Sequence, residues 1–215
     1  YLDIIGIRAG DRVLIALKNS ASFFYAFYGI LKIAAIAVPI YPGSGLERIG
    51  GLGKLCTASA LFLSKDDQRV KSDRSATDDI PFLKILEIES AMGLEPFDGL
   101  ISIDKNHTAF IQYTSGSTGD PKGVQISHAN LLTNIEQMIV GMKISRMDRF
   151  ISWLPVCHDM GLILMTMVPL YMGIHLYLLP ASLHYLKKWL ELISVTKATF
   201  TAAPDFAYRY CLLYT

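Results

Sequence analysis

The sequence predicts an α/β fold with mostly parallel sheets flanked by helices, and three observations predict it. Arg12-Val13-Leu14-Ile15-Ala16-Leu17 is an uninterrupted β-rich run, as a strand covered on both faces requires. A helical apolar period and a second short apolar run follow it, and a strand, helix, strand order favours parallel pairing through a right-handed crossover. Further along, another strand candidate runs into a polar glycine loop, where open α/β sheets usually place ligands.

Element by element, Asn19-Ser20 offers an N-cap after the first strand. Phe23, Phe24, Phe27, Ile30 and Leu31 then recur at three- and four-residue spacing, which predicts a helix with one apolar face. Ala37-Val38-Pro39-Ile40 reads as the second strand, closed by the turn residues Pro42-Gly43-Ser44-Gly45. Residues 1–63 thus form a first α/β segment. Residues 64–81 mix both signs of charge, with Lys65, Asp66, Asp67, Arg69, Lys71, Asp73, Arg74, Asp78 and Asp79, and read as a solvated loop or linker. Residues 101–215 form the last segment. In it Thr108-Ala109-Phe110-Ile111-Gln112-Tyr113 predicts a strand that leads into the glycine loop. Ser127 can cap a later helix whose Leu131, Ile135, Met138, Ile139 and Met142 share one face.

Composition narrows the setting without naming a function. Hydrophobic residues make up 52% and charged residues 18% of the 215, so the chain is built around an extensive interior. Twenty basic against nineteen acidic residues leave a formal net charge of +1, so no global field recruits nucleic acid or an anionic membrane. Cys56, Cys157 and Cys211 are odd in number, far apart and without metal-ligand spacing; they suggest neither a disulfide framework nor a zinc site, and a reducing cytoplasm is the expectation. The start at Tyr1-Leu2-Asp3 has no initiating Met and no signal-peptide pattern, and both ends read as boundaries within a longer protein. Residues 160–185 carry no Asp, Glu, Lys or Arg, long enough for a span of about 20 residues. Pro169, Gly173, His175 and Pro180 divide that stretch into helix, turn and strand, and no transmembrane segment is expected.

The glycine loop carries the chemistry. Gly116, Gly119 and Gly123 remove the Cβ obstacle, so backbone amides can approach phosphate oxygens. Thr114, Ser115, Ser117 and Thr118 add hydroxyl donors, Pro121 stiffens the chain, and Lys122 adds a mobile positive charge suited to a departing pyrophosphate. The string does not match the common G-x-x-x-x-G-K-[ST] pattern. A plain flexible connection is the alternative, but the flanking strand and helix and the placed Lys and Pro argue for a nucleotide-phosphate cradle.

Tyr113-Thr114-Ser115-Gly116-Ser117-Thr118-Gly119-Asp120-Pro121-Lys122-Gly123 resembles the phosphate-binding signature of the adenylate-forming, AMP-binding superfamily, and Ser127-His128-Ala129-Asn130-Leu131 continues it. Gly10-Asp11-Arg12-Val13, Gly29-Ile30-Leu31-Lys32 and Val38-Pro39-Ile40-Tyr41-Pro42 resemble the same family's opening. Ser152-Trp153-Leu154-Pro155-Val156-Cys157-His158-Asp159-Met160-Gly161-Leu162-Ile163 is most similar to the fatty acyl-AMP ligases within it. Ala202-Ala203-Pro204-Asp205-Phe206-Ala207-Tyr208 also resembles them, with Asp205 where those enzymes usually have Asn.

Read by itself, the second constellation joins an imidazole and a carboxylate to an apolar run. His158 could donate to a substrate carboxylate or a phosphate oxygen, and Asp159 could orient its ring. Met160, Leu162, Ile163, Met165, Met167 and Phe206 could line an apolar trench for an acyl chain, or pack as ordinary core. The resemblance implies that residues 1–215 are the N-terminal part of the large domain of an adenylate-forming enzyme, with the C-terminal lysine domain absent. It further implies ATP-dependent activation of a fatty acid to acyl-adenylate with Mg2+ screening the phosphates. In that scheme Lys122 and His158 act as catalytic groups, residues 114–119, Lys122 and Gly123 hold ATP, and His158, Asp159, Met160, Gly161 and Phe206 meet the acid. A carrier protein would accept the acyl group; a long-chain acyl-CoA ligase using CoA and a non-catalytic nucleotide- or lipid-binding module are the alternatives. The chain alone is expected to be inactive.

Overall fold

Val13, Leu14 and Ile15 are fully buried, as an uninterrupted β-rich run demands, and they form strand β1 (Arg12–Ile15). The computed structural model describes residues 1–71, 80–91, 94, 99, 101–114 and 121–213, with residues 70 and 71 by their backbone. Helix α1 (Ala21–Lys32) follows and buries Phe23, Ala26, Phe27, Ile30 and Leu31, the expected face, with Phe24 half-buried. β2 (Ile36–Pro39) returns parallel to β1, pairing Arg12 with Ile36 and Ile15 with Pro39, so the proline falls at the strand's last position. α2 (Leu46–Leu55), β3 (Ala60–Leu63), a short α3 (Gln68–Lys71) and β4 (Lys84–Glu87) continue the chain. The charged stretch therefore contains one helical turn, held where Arg69 pairs with Asp67 and donates to the carbonyl of Ser44; residues 72–79 lie outside the described set.

β5 (Thr108–Thr114) pairs parallel with β2, and β6 (Lys122–Ser127) pairs antiparallel with β5. Among the described residues this completes a six-stranded sheet in the order β4-β3-β1-β2-β5-β6. Its core joins Leu14, Val38, Ile49, Leu61 and Ile111 on one side. Phe27 of α1 meets Phe110 of β5 edge-on, with centroids 5.8 Å apart.

α4 (His128–Gly141) buries Leu131 and Ile135; Met138 and Ile139 are half-buried, and Met142 lies beyond the helix and is exposed. β7 (Phe150–Ser152), a π-helical segment (Met160–Met167), α5 (Val168–Met172), β8 (Leu176–Leu178), α6 (Leu186–Thr196), β9 (Phe200–Thr201) and α7 (Asp205–Leu212) complete the chain. β7 pairs parallel with both β8 and β9. Trp153, Trp189, Ile151, Leu186 and Ala207 form the core beneath, and the Trp189 indole donates to Thr201 Oγ1 at 2.8 Å. No helix among the described residues is long and apolar enough to cross a membrane, and residues 160–185 divide into helix, turn and strand as expected.

Tyr1–Leu17 with Ala21–Ala129 form one compact unit, and Lys18–Ser20 with Asn130–Thr215 form another. In that grouping Ala129 and Asn130 fall in different units. Three expectations are corrected. The first strand stops at Ile15 rather than Leu17. The Asn19 carboxamide does not cap α1; it bonds to the backbone of residues 154, 156 and 179. Most consequentially, the glycine loop joins two antiparallel strands rather than a strand and a helix, because residues 122–127 find their backbone partners on β5 before α4 begins.

Candidate active site

In the first unit the β5/β6 ladder ends with Tyr113 opposite Gly123 and Thr114 opposite Lys122. Ser115, Gly116, Ser117, Thr118 and Gly119 lie outside the described residues, but the ladder sets where their connection leaves and rejoins the sheet. Thr114, Lys122 and Gly123 are exposed there, and Thr114 Oγ1 donates a long hydrogen bond of 3.5 Å to the Lys122 carbonyl. Among the described residues the Lys122 ammonium makes no hydrogen bond or ion pair. Gly123 sits close to its neighbours: a Cβ there would lie 3.0 Å from Ile111 Cγ2 and 3.3 Å from the Tyr113 ring, so those side chains would have to give way slightly. The Tyr113 hydroxyl, aimed at the Leu52 carbonyl at 3.5 Å, is pushed up by burial and by neighbouring Cys56, so it stays protonated.

In the second unit the chain leaves β7 through buried Trp153 and Leu154 and turns at Pro155. The His158 amide donates to the Pro155 carbonyl at 3.1 Å, and the His158 carbonyl accepts from Leu162 at 2.7 Å, so the backbone turns tightly on both sides of the histidine. The His158 side chain is exposed. Asp159 does not orient the ring: its Oδ1 accepts from the Met160 amide at 2.7 Å, capping the π-helical segment. Gly161 packs against the same turn; a Cβ there would lie 2.2 Å from the Pro155 oxygen. Burial pushes the neighbouring Cys157 thiol up to about 11, which leaves it protonated and non-nucleophilic at neutral pH.

The apolar candidates separate. Leu162, Met165 and Met167 are fully buried core residues, whereas Met160 is 48% exposed and Phe206, on α7, is 53% exposed. Asp205, at the start of α7, forms an exposed ion pair with Arg209, Oδ2 to Nε 2.8 Å. Residues 158–161 therefore share one turn, while Phe206 comes from a separate element. Sequence reasoning missed the role of Asn19, since nothing in linear spacing relates residue 19 to residues 154 and 179. The chemistry on offer is a cationic hairpin mouth in one unit and an exposed imidazole on a rigid turn in the other.

The family model described as AMP-binding enzyme matches residues 1–213. A long-chain-fatty-acid–AMP ligase of Mycobacterium marinum is 30% identical, covering 96% of this chain and 34% of its own length. A medium-chain-fatty-acid–[acyl-carrier-protein] ligase of Teredinibacter turnerae is also 30% identical, over 94% of this chain and 38% of its own length. The solved fatty acyl-adenylate ligase from L. pneumophila, in complex with acyl adenylate and pyrophosphate, superposes with a TM-score of 0.84 at 33% identity and covers 100% of this chain and 38% of that one. The chain thus spans about a third of the length of the curated relatives it matches. With a match across nearly its whole length, the chain belongs to the AMP-binding family of adenylate-forming enzymes.

Proposed function

We propose that the protein carrying this chain uses ATP to activate a fatty acid as its acyl-adenylate, releasing pyrophosphate. The hairpin carries the proposal: Thr114 and an exposed Lys122 stand opposite each other at the mouth of a Ser/Thr/Gly connection, in a chain whose relatives are named for joining fatty acids to AMP. An oxygen of the ionised carboxylate attacks the α-phosphorus, and the bond from that phosphorus to the oxygen bridging toward the β-phosphate breaks. The electron pair leaves with pyrophosphate. A carboxylate is already nucleophilic at neutral pH, so the protein's task is positioning and charge stabilisation rather than base catalysis.

Residues 114–119, Lys122 and Gly123 are assigned to the β- and γ-phosphates, with the Lys122 ammonium offsetting charge on the departing group. Mg2+, bound with ATP, would screen the phosphates. His158 is assigned to an oxygen of the acid, with Asp159, Met160, Gly161 and Phe206 around the substrate. The buried Cys157 thiol takes no part. A carrier protein is the proposed acceptor, in line with the name of the Teredinibacter turnerae relative.

Acid-dependent ATP–pyrophosphate exchange by the full-length protein tests this. Lys122→Ala should lower it by about 100-fold, the scale of one lost charge-stabilising donor, and because Lys122 is exposed the fold should survive. Unchanged exchange would refute its role. Supplying the full-length protein with CoA or a holo carrier protein tests the acceptor: acyl-carrier supports it, and acyl-CoA overturns that part alone.

A further inference from the structure

We propose that Asn19 is a positioning residue for the acid-binding turn: its single carboxamide holds the backbone on both sides of Pro155 and so sets where His158 is presented. This rests on the assignment of His158 to the acid. Lys18–Ser20 belongs to the second unit. Asn19 Nδ2 donates to the Leu154 carbonyl at 2.8 Å and to the Leu179 carbonyl at 3.0 Å, and Oδ1 accepts from the Val156 amide at 3.1 Å. Both donors and the acceptor are used, so the amide orientation is specified by its partners.

The location explains why a side chain is needed. The β7/β8 ladder ends at Ser152 and Leu178, and the last support from the strand is the Ser152 carbonyl accepting from Leu179 at 2.7 Å. Beyond that point the two chains part, and Pro155 has no N–H with which to continue the pairing. Asn19 fills the gap, bonding the carbonyl before the proline, the amide after it and the exit of β8. Two fixed points either side of Pro155 orient its carbonyl, which is the acceptor for the His158 amide and the surface against which Gly161 packs. The hold is therefore transmitted from Asn19 through residues 154–156 to His158, whose ring makes no hydrogen bond among the described residues. Aspartate at position 19 would be nearly isosteric, yet it would set a carboxylate against two carbonyl oxygens with no proton to share.

The test uses full-length protein with Asn19→Ala and Asn19→Asp. Both should lower kcat/KM for the fatty acid in pyrophosphate exchange at least tenfold and leave KM for ATP within twofold of the parent. Amide hydrogen exchange at Val156 and His158 should accelerate in Asn19→Ala, which removes the Oδ1 acceptor. A variant whose acid kcat/KM is unchanged overturns the proposal, as does an equal loss toward acid and ATP. If Asn19→Asp fails to fold, Asn19→Ala decides. A parent protein without acid-dependent exchange overturns the functional assignment instead. A Val156 amide that stays as protected in Asn19→Ala as in the parent overturns the clamp itself.

Discussion

Gly161 shows how one residue can serve the fold and the proposed site together. Its α-carbon lies so close to the turn that a Cβ would stand 2.2 Å from the Pro155 oxygen and 2.9 Å from the Pro155 carbonyl carbon. Those are backbone atoms, so no rotamer change relieves the overlap. The same oxygen accepts from the His158 amide, so any shift that accommodates a methyl group also moves the histidine. Gly161→Ala is expected to cost about 1–3 kcal/mol, the usual range for overpacking, and to reduce acid-dependent exchange by about tenfold, the rate equivalent of 1.4 kcal/mol. Urea unfolding and exchange kinetics check the two halves; a variant as stable and active as the parent would rule the contact out. The sequence placed Gly161 in a suggestive string, but its reason is a contact six residues away, made possible by the path of the chain.

At the scale of elements, legibility followed apolar patterning. β1, α1, β2 and β5 were readable because their side chains are buried in the spacing their geometry requires. β6 was not: Lys122, Gly123, Val124 and Gln125 are exposed and the strand carries no inward stripe, so its pairing with β5 specifies it rather than its own composition. The π-helical segment was hidden for the opposite reason, since its nearly uniform apolar residues carry no period to read. α2 depends on a similarly non-local contact. Arg12 of β1 donates to the carbonyls of Cys56 at 2.7 Å, Gly10 at 2.8 Å and Thr57 at 2.9 Å, and to the Thr57 hydroxyl. Thr57 sits at φ 50°, an uncommon conformation for a β-branched residue, directly after the helix C-cap. Arg12→Ala is expected to lose about 2 kcal/mol, since hydrogen bonds from a charged donor are worth more than neutral ones. It should also speed amide exchange at Cys56, Thr57 and Ala58. Arg12→Lys should not restore them, lacking the planar fork; full restoration by lysine would show that charge alone matters.

For the whole molecule, composition announced an extensive interior but not its division into two units with separate cores, one of aliphatic residues around parallel strands and one around Trp153 and Trp189. Each unit is assembled from segments distant in sequence, as when residues 18–20 join the second one, so no window along the chain could reveal the partition. The near-zero net charge likewise leaves pH dependence to individual groups. In the first unit His128 opens α4, its amide donating to the His107 carbonyl at 3.1 Å. Burial, and then the nearby His107 imidazole, hold its pKa below 6.5. Because the folded value is the lower one, the unfolded chain binds more protons as pH falls, and stability is lost below about pH 6.5. Glu89 is held below its ordinary 4.5: burial pushes it up, but hydrogen bonds from the Lys65 amide and Ser64 hydroxyl outweigh that. Asp148 is held below 3.8 by the Ser145 amide and the Thr199 hydroxyl. Their contributions disappear mainly at more acidic pH, so these two carboxylates add little to the change between about pH 7 and 5. In full-length protein, Tm should fall more for the parent than for His128→Gln on going from pH 7 to 5, with the two converging above pH 7. Parallel Tm profiles across that window would show that His128 carries no such linkage.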